Sequence, residues 1–262
     1  MPVKPWLALI LCLTGCASLP VGEPGWLPLF DGKTLTGWTP KITGSALGAD
    51  ALGTFRVRDG AIQVSYRNYD RFGGRFGHLA YRTPFTSYRL RFEYRFTGTW
   101  LPDVEAWQQS NSGVMLHGQS PRTMTREQLF PVSLEVQLLG ADRAEVAPTA
   151  NLCTPGTQVV IDGVLDSRHC VNAAGPVLPN GGWVEAEVEV RNDGTVIHSV
   201  QGRPVLRYRG AQYDPADPDA KPLIAKQNGR LSIDGGYIYL QSEGHPVEFR
   251  NIALKPLAPT RS

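Results

Sequence analysis

Two antiparallel β-sheets packed face to face are predicted by three observations. Apolar and polar residues alternate with period two in segment after segment. Asp-Gly turn dipeptides punctuate those segments, and no stretch carries the spacing of a long amphipathic helix. The clearest strand is 87–96. Its Tyr88, Leu90, Phe92, Tyr94 and Phe96 share one face, and Arg89, Arg91, Glu93 and Arg95 the other. Residues 133–139 set Leu134, Val136 and Leu138 against Glu135 and Gln137. Residues 183–191 set Val184, Ala186, Val188 and Val190 against Glu185, Glu187, Glu189 and Arg191. Segments 237–241 and 247–254 end the pattern, and turns are expected at Asp31-Gly32, Asp59-Gly60, Asp162-Gly163 and Asp193-Gly194. Strands apolar on one face need a second layer to cover that face, so a β-sandwich follows. No shift in composition divides residues 29–258, which read as a single domain. The Asp- and Pro-rich stretch 213–226 reads as a surface loop before the last strands.

The N-terminus has a different character. Lys4 is the one charge before the apolar run 6–13, and Thr14, Gly15 and Cys16 follow. A short basic start, a short apolar core and small residues before a cut site describe a secretory signal peptide. The run falls short of the ~20 apolar residues that span a bilayer. Leu13-Thr14-Gly15-Cys16 resembles a bacterial lipobox, which implies removal of residues 1–15 and a lipid on Cys16. The protein is then expected outside the cytoplasm, held at a membrane through that lipid, with residues 16–28 as its tether. Ala17 after the cysteine points to the outer membrane in a Gram-negative host.

A net charge of +2 without a basic cluster gives no sign of nucleic acid as a partner. Two of the four cysteines, Cys12 and Cys16, belong to the export segment. Cys153 and Cys170 remain, and an even pair in an oxidising compartment reads as a disulfide closing an irregular stretch. The rival reading is a metal site built from Cys153, His169 and Cys170.

Six segments in order resemble one family: LFDGKTLTGW at 29–38, FRVRDG at 55–60, YRLRFEYR at 88–95, NSGV at 111–114, LEVQLL at 134–139 and YLQSEGHPVEFRNI at 239–252. These are similar to motifs of the 3-keto-disaccharide hydrolase domain family, and the resemblance runs over nearly the whole mature chain. It implies a concanavalin-like jelly roll and a carbohydrate substrate, a glycoside or disaccharide oxidised at C3 of the sugar. Three features depart from the family pattern: Gly182-Trp183-Val184 lacks the family's Asn, Gln201-Gly202 replaces its Asn-Gly turn, and the segment from Cys153 to Cys170 is extra.

A 3-keto group acidifies the C2 proton. A base can remove that proton, the C1 substituent leaves, and water adds across the resulting double bond. Such a site needs a base, an acid and donors to the enolate; no cofactor is certain, though a divalent metal would serve as the electrophile. Glu135 is the first candidate for base, with His117 and Glu243 as further catalytic candidates. Gln137, which shares a strand face with Glu135, is a candidate for substrate binding with Arg95, Asn111, His245 and Arg250. Each has a plainer reading. Glu135 and Gln137 can be a solvated strand face, Glu243 and His245 a solvated turn, and Arg95 and Arg250 partners of Glu93 and Glu248 across strands. Two other functions compete: a non-catalytic glycan-binding module, and a retaining glycosidase using Glu185 and Glu187.

Overall fold

The computed structural model describes residues 24–258. The expected signal segment and Cys16 lie outside the described residues. Two antiparallel sheets pack against each other, as the alternation predicts. The larger has ten strands. Nine form one path: Val164–Asp166, Thr157–Ile161, Arg203–Tyr213, Val196–Val200, Val184–Val190, Tyr88–Phe96, Val247–Pro256, Ala61–Val64 and Phe55–Arg58. Leu27–Pro28 adds a short tenth strand beside Val247–Pro256. The smaller sheet runs in the order Cys170–Val171, Asn151–Cys153, Leu134–Leu139, Asn111–Gly118, Tyr237–Ser242, Gly77–Tyr81 and Trp38–Ile42.

The core lies between the sheets. The inward set of Tyr88–Phe96 is buried throughout, and it meets Val114, Leu116, Leu134, Val136, Leu138 and Leu240 from the smaller sheet. Most strands pair with partners distant in sequence. Tyr88–Phe96 lies between Val184–Val190 and Val247–Pro256, and this sets the jelly-roll topology.

Several local expectations are sharpened. The last residues of the expected tether belong to the fold: Leu27–Pro28 pairs with Ala253 and Leu254, and the Arg91 guanidinium stacks on Trp26 at 4.0 Å. Cys153 and Cys170 are joined, with an S–S distance of 2.05 Å. The stretch they close is not irregular, because it contains the hairpin Thr157–Ile161 and Val164–Asp166 turning at Asp162-Gly163. Alternation is too short there to stand out in sequence. The expected loop 213–226 starts on the end of a strand and contains a short helix, Lys221–Lys226.

Candidate active site

The residues of the smaller sheet that alternate with its core set face outward, and six strands bring polar groups together on that face. Glu135 is opposite Met115, which is opposite Tyr239, which is opposite Ala80. One step along the strands, Asn151 is opposite Gln137 and Gln137 opposite Gly113. In the same step, Gln241 is opposite His78, and His78 opposite Lys41. Glu243 follows Gln241 just beyond the end of its strand.

This face is covered by the segment 119–132. Lys41 Nζ donates to the carbonyls of Arg126 at 2.9 Å and Ile42 at 3.2 Å. The Tyr239 hydroxyl donates to the Gln119 carbonyl, and Met124 packs beside Met115, Ala80 and Tyr239. The Phe130 ring meets Phe76 and His78 at centroid distances of 4.8 and 5.7 Å. Gln119 and Gln128 are tied together by their amides and hold the loop to its own backbone. Glu135 is only 6 % exposed and Glu243 2 %, which governs their chemistry.

The glycine of the 111–114 segment makes room for the first carboxylate. A Cβ on Gly113 would lie 2.3 Å from Glu135 Oε1 and 2.8 Å from its carboxyl carbon. Any larger residue displaces Glu135. Burial raises the Glu135 carboxyl to about 8. Glu243 is pushed well above the ordinary carboxylate range by burial and by the nearby Glu135, while Arg143 pulls the other way. The two carboxyls therefore share one electrostatic site, and a buried pair of this kind holds on to at least one proton near neutrality. His78 is pushed down to about 3 by burial and by Lys41, so it is a neutral imidazole.

Several polar atoms around the pair have no protein partner: both amide atoms of Gln241, Glu243 Oε2, His78 Nε2, and Nε and Nη1 of Arg143. Buried polar atoms are normally hydrogen-bonded, so this group makes the face a candidate ligand site. Trp107, 46 % exposed, lies at the rim. Its carbonyl accepts from Asn111 Nδ2 at 2.9 Å and from Arg143 at 3.4 Å, and its ring stacks on Phe76 with a centroid distance of 6.1 Å.

The sequence candidates separate into groups. Glu135, Gln137, Asn111 and Glu243 come together here. Gln137 Oε1 accepts from Asn151 Nδ2 at 3.2 Å, and that asparagine is fixed in turn by the Ala173 amide at 2.8 Å. His245 is close in sequence but packed into the structure. Its Nδ1 accepts from the Ser110 amide at 2.8 Å, its ring lies against Phe96 and Trp100, and burial lowers it to about 4. His117 sits in a bulge of its strand with φ +51°; burial lowers it to about 4 while Asp234 opposes.

Arg95 and Arg250 are not on this face. They lie on the outside of the larger sheet, where Arg95 pairs with Glu248 at 2.8 Å and Arg250 with Glu93 at 2.7 Å. Both guanidiniums stack on Trp183, at 4.4 and 4.0 Å. Glu185 and Glu187 are on that outer surface too, with Glu187 held by Arg89 at 2.5 Å.

Sequence reasoning missed Gln241, His78, Lys41, Arg143 and Trp107. Gln241 carried a signal, since it stands two residues from both Tyr239 and Glu243, as Gln137 does from Glu135. His78 and Lys41 lie in short strands whose polar residues look incidental until the register aligns them. Among the described residues, no three His, Cys, Asp or Glu side chains are grouped so as to hold a metal ion.

The jelly roll and the buried carboxyl pair on one sheet face agree with the family match, which marks the chain as a glycosyl hydrolase-like, carbohydrate-active module. The chain belongs to the 3-keto-alpha-glucoside-1,2-lyase-like domain family, whose model matches residues 25–255. It is 24% identical over 261 residues to a 3-keto-disaccharide hydrolase of Bacteroides thetaiotaomicron, covering 92% of this chain and 81% of that one. The fold is similar to a crystal structure described as a putative glycosyl hydrolase from Parabacteroides distasonis. There the TM-score is 0.51 at 21% identity, covering 89% of this chain and 94% of that one. A Bacillus subtilis protein described as having a galectin-like fold matches with TM-score 0.51 at 12% identity, over 86% of this chain and 91% of that one.

Proposed function

We propose that this protein cleaves glycosides whose sugar is already oxidised at C3, by elimination followed by hydration, at the Glu135 and Glu243 face. The observation that carries this reading is the buried, electrostatically linked carboxyl pair among unpaired donors. The pair carries a single charge when one carboxyl ionises, and with that charge on Glu135 its carboxylate takes the acidified C2 proton. Glu243, kept protonated by burial and by the Glu135 charge, gives its proton to the glycosidic oxygen as the C1–O bond breaks. The electron pair from C2–H becomes the new C1=C2 bond. Gln241 Nε2, with His78 and Arg143, supplies donors to the enolate oxygen at C3. Water then adds, its hydroxyl to C1 and a proton to C2, so the net reaction is hydrolysis. Trp107 offers its ring to the C–H face of a sugar at the rim.

Export and lipid attachment through Cys16 are part of the same reading. The lipobox-like segment supports it, and so does the Cys153–Cys170 disulfide, since such bonds persist in oxidising compartments. The substrate would then be a sugar passing outside the cytoplasm, supplied by an enzyme that oxidises C3.

The test is turnover of a 3-keto-glucoside and of its unoxidised parent. The expected result is release of the aglycone from the oxidised sugar alone, with Glu135→Gln and Glu243→Gln each slowing it by ~10²–10⁴-fold while sugar binding remains. Binding without turnover would instead identify a glycan-binding module, and cleavage of the parent would overturn the elimination chemistry.

A further inference from the structure

The outer surface of the larger sheet has features the catalytic reading does not use. Its outward positions are dominated by charge, and arginine and lysine outnumber glutamate there. Tyr88–Phe96 presents three arginines and one glutamate, Arg203–Tyr213 adds Arg207 and Arg209, and Val247–Pro256 adds Arg250 and Lys255. The glutamates of Val184–Val190 and Val247–Pro256 are largely occupied: Glu187 holds Arg89, Glu189 holds Arg191, and Glu248 holds Arg95. Arg207 and Arg209 are exposed next to these pairs. Set against Glu93, which holds Arg250, and against Glu185, Glu187, Glu189 and Glu248, these cations leave the face net positive in a chain that carries only +2 overall.

The described chain begins on the same side. Trp26 stacks on Arg91, a Cβ on Gly25 would lie 3.3 Å from the Lys255 side chain, and Leu27–Pro28 joins the edge of Val247–Pro256. Cys16 is eight residues before Pro24 in sequence, and eight residues reach at most ~29 Å. A lipid on Cys16 would therefore keep this surface close to the bilayer. The Glu135 face lies on the outside of the opposite sheet, with the whole sandwich between.

We propose that the arginine-rich outer face of the larger sheet is the membrane-facing surface of this protein and docks on anionic lipid headgroups, leaving the Glu135 face turned away from the bilayer. The orientation rests on the lipid-anchor reading, whereas the affinity of the surface does not. Each cation brought to an anionic bilayer strengthens attachment about fivefold, and the effect is screened by salt within ~10 Å at 0.1 M.

The test separates the two. Residues 16–262 with Cys16→Ser contain the whole described fold and carry no lipid. This chain is sedimented with vesicles of phosphatidylcholine alone and with vesicles containing one third phosphatidylglycerol. Binding is expected only to the anionic vesicles and is expected to disappear at 0.5 M salt. The double change Arg207→Gln and Arg209→Gln should weaken it about 25-fold, with an unchanged circular dichroism spectrum. Arg126→Gln, in the segment covering the opposite sheet, should leave it unchanged. Equal binding to both vesicles, or equal loss from the Arg126 variant, overturns the surface. If the anionic vesicles bind but the mature N-terminus in cells carries no lipid by mass, the surface stands and the orientation falls.

Discussion

Gly113 and Glu135 stand on neighbouring strands, and the carboxylate of one occupies the space where a side chain on the other would be. A Cβ at 113 would come within 2.3 Å of Glu135 Oε1. Gly113→Ala is therefore expected to displace the carboxylate and to leave the sandwich folded, at an overpacking cost of ~1–3 kcal/mol. Turnover of a 3-keto-glucoside should fall at least ~100-fold, since a misplaced reacting group costs that much. A variant with normal kinetics would show that Glu135 need not sit where it does.

The raised Glu135 carboxyl gives activity a particular pH dependence. A base that ionises at about 8 predicts that kcat/KM climbs tenfold per pH unit from about 5 and levels near 8. A limb at the ordinary carboxylate value near 4.5 would remove Glu135 from the base role.

Stability should respond to pH in two opposite ways. Glu135 binds its proton more tightly folded than unfolded, so its contribution is full below about 4.5 and is lost as pH rises through about 8. Glu135→Gln should accordingly gain on the native protein in thermal melts between pH 5 and 9, by on the order of a few kcal/mol. The buried histidines act in reverse. His198, bonded to the Ala150 carbonyl and the Tyr208 hydroxyl, is lowered to about 4. Its contribution is full above about 6.5 and is lost as pH falls through about 4. His198→Gln should flatten the acid side of the stability curve, and an unaltered acid side would show that this histidine is protonated in the fold.

Cys153 lies opposite Glu135 on the next strand, so the disulfide steadies the edge beside the carboxylate. The joint change Cys153→Ser and Cys170→Ser should cost ~3 kcal/mol, read as a lower midpoint in urea with the slope nearly preserved. Activity below that midpoint should fall less than stability does.

Trp107→Ala should raise KM roughly tenfold and leave kcat within about twofold, the signature of lost uniform binding. A fall in kcat with KM unchanged would place Trp107 in the chemistry instead.

Much of the fold was legible because alternation reports which residues face the core. Tyr88–Phe96 shows this, with every inward residue buried and every outward one partly exposed. Alternation does not report which sheet a strand joins. Arg95 and Glu135 both look like outward polar residues on half-apolar strands, yet they end on opposite sides of the sandwich. Glu135 and Gln137 were readable as a pair because they lie two apart on one strand. The link from Glu135 to Glu243, and the row Gln241, His78 and Lys41, exist only through register between strands far apart in sequence. His245 shows the converse: its place beside Glu243 in sequence suggested a shared role, but the turn directs its ring into Phe96 and Trp100.

The stretch between Cys153 and Cys170 is cross-linked at its two ends. Both cysteines belong to the smaller sheet, whereas the hairpin between them joins the edge of the larger one. With the two ends held at a Cα separation of 4.1 Å, whatever lies between them is a side branch. The main chain passes from one strand to the next whether the branch is long or short. That makes the exposed turn at Asp162-Gly163 a natural grafting point, where a reporter peptide or an affinity handle can be inserted without re-routing the chain around the Glu135 face, while Thr157–Ile161 keeps Val159 in the core.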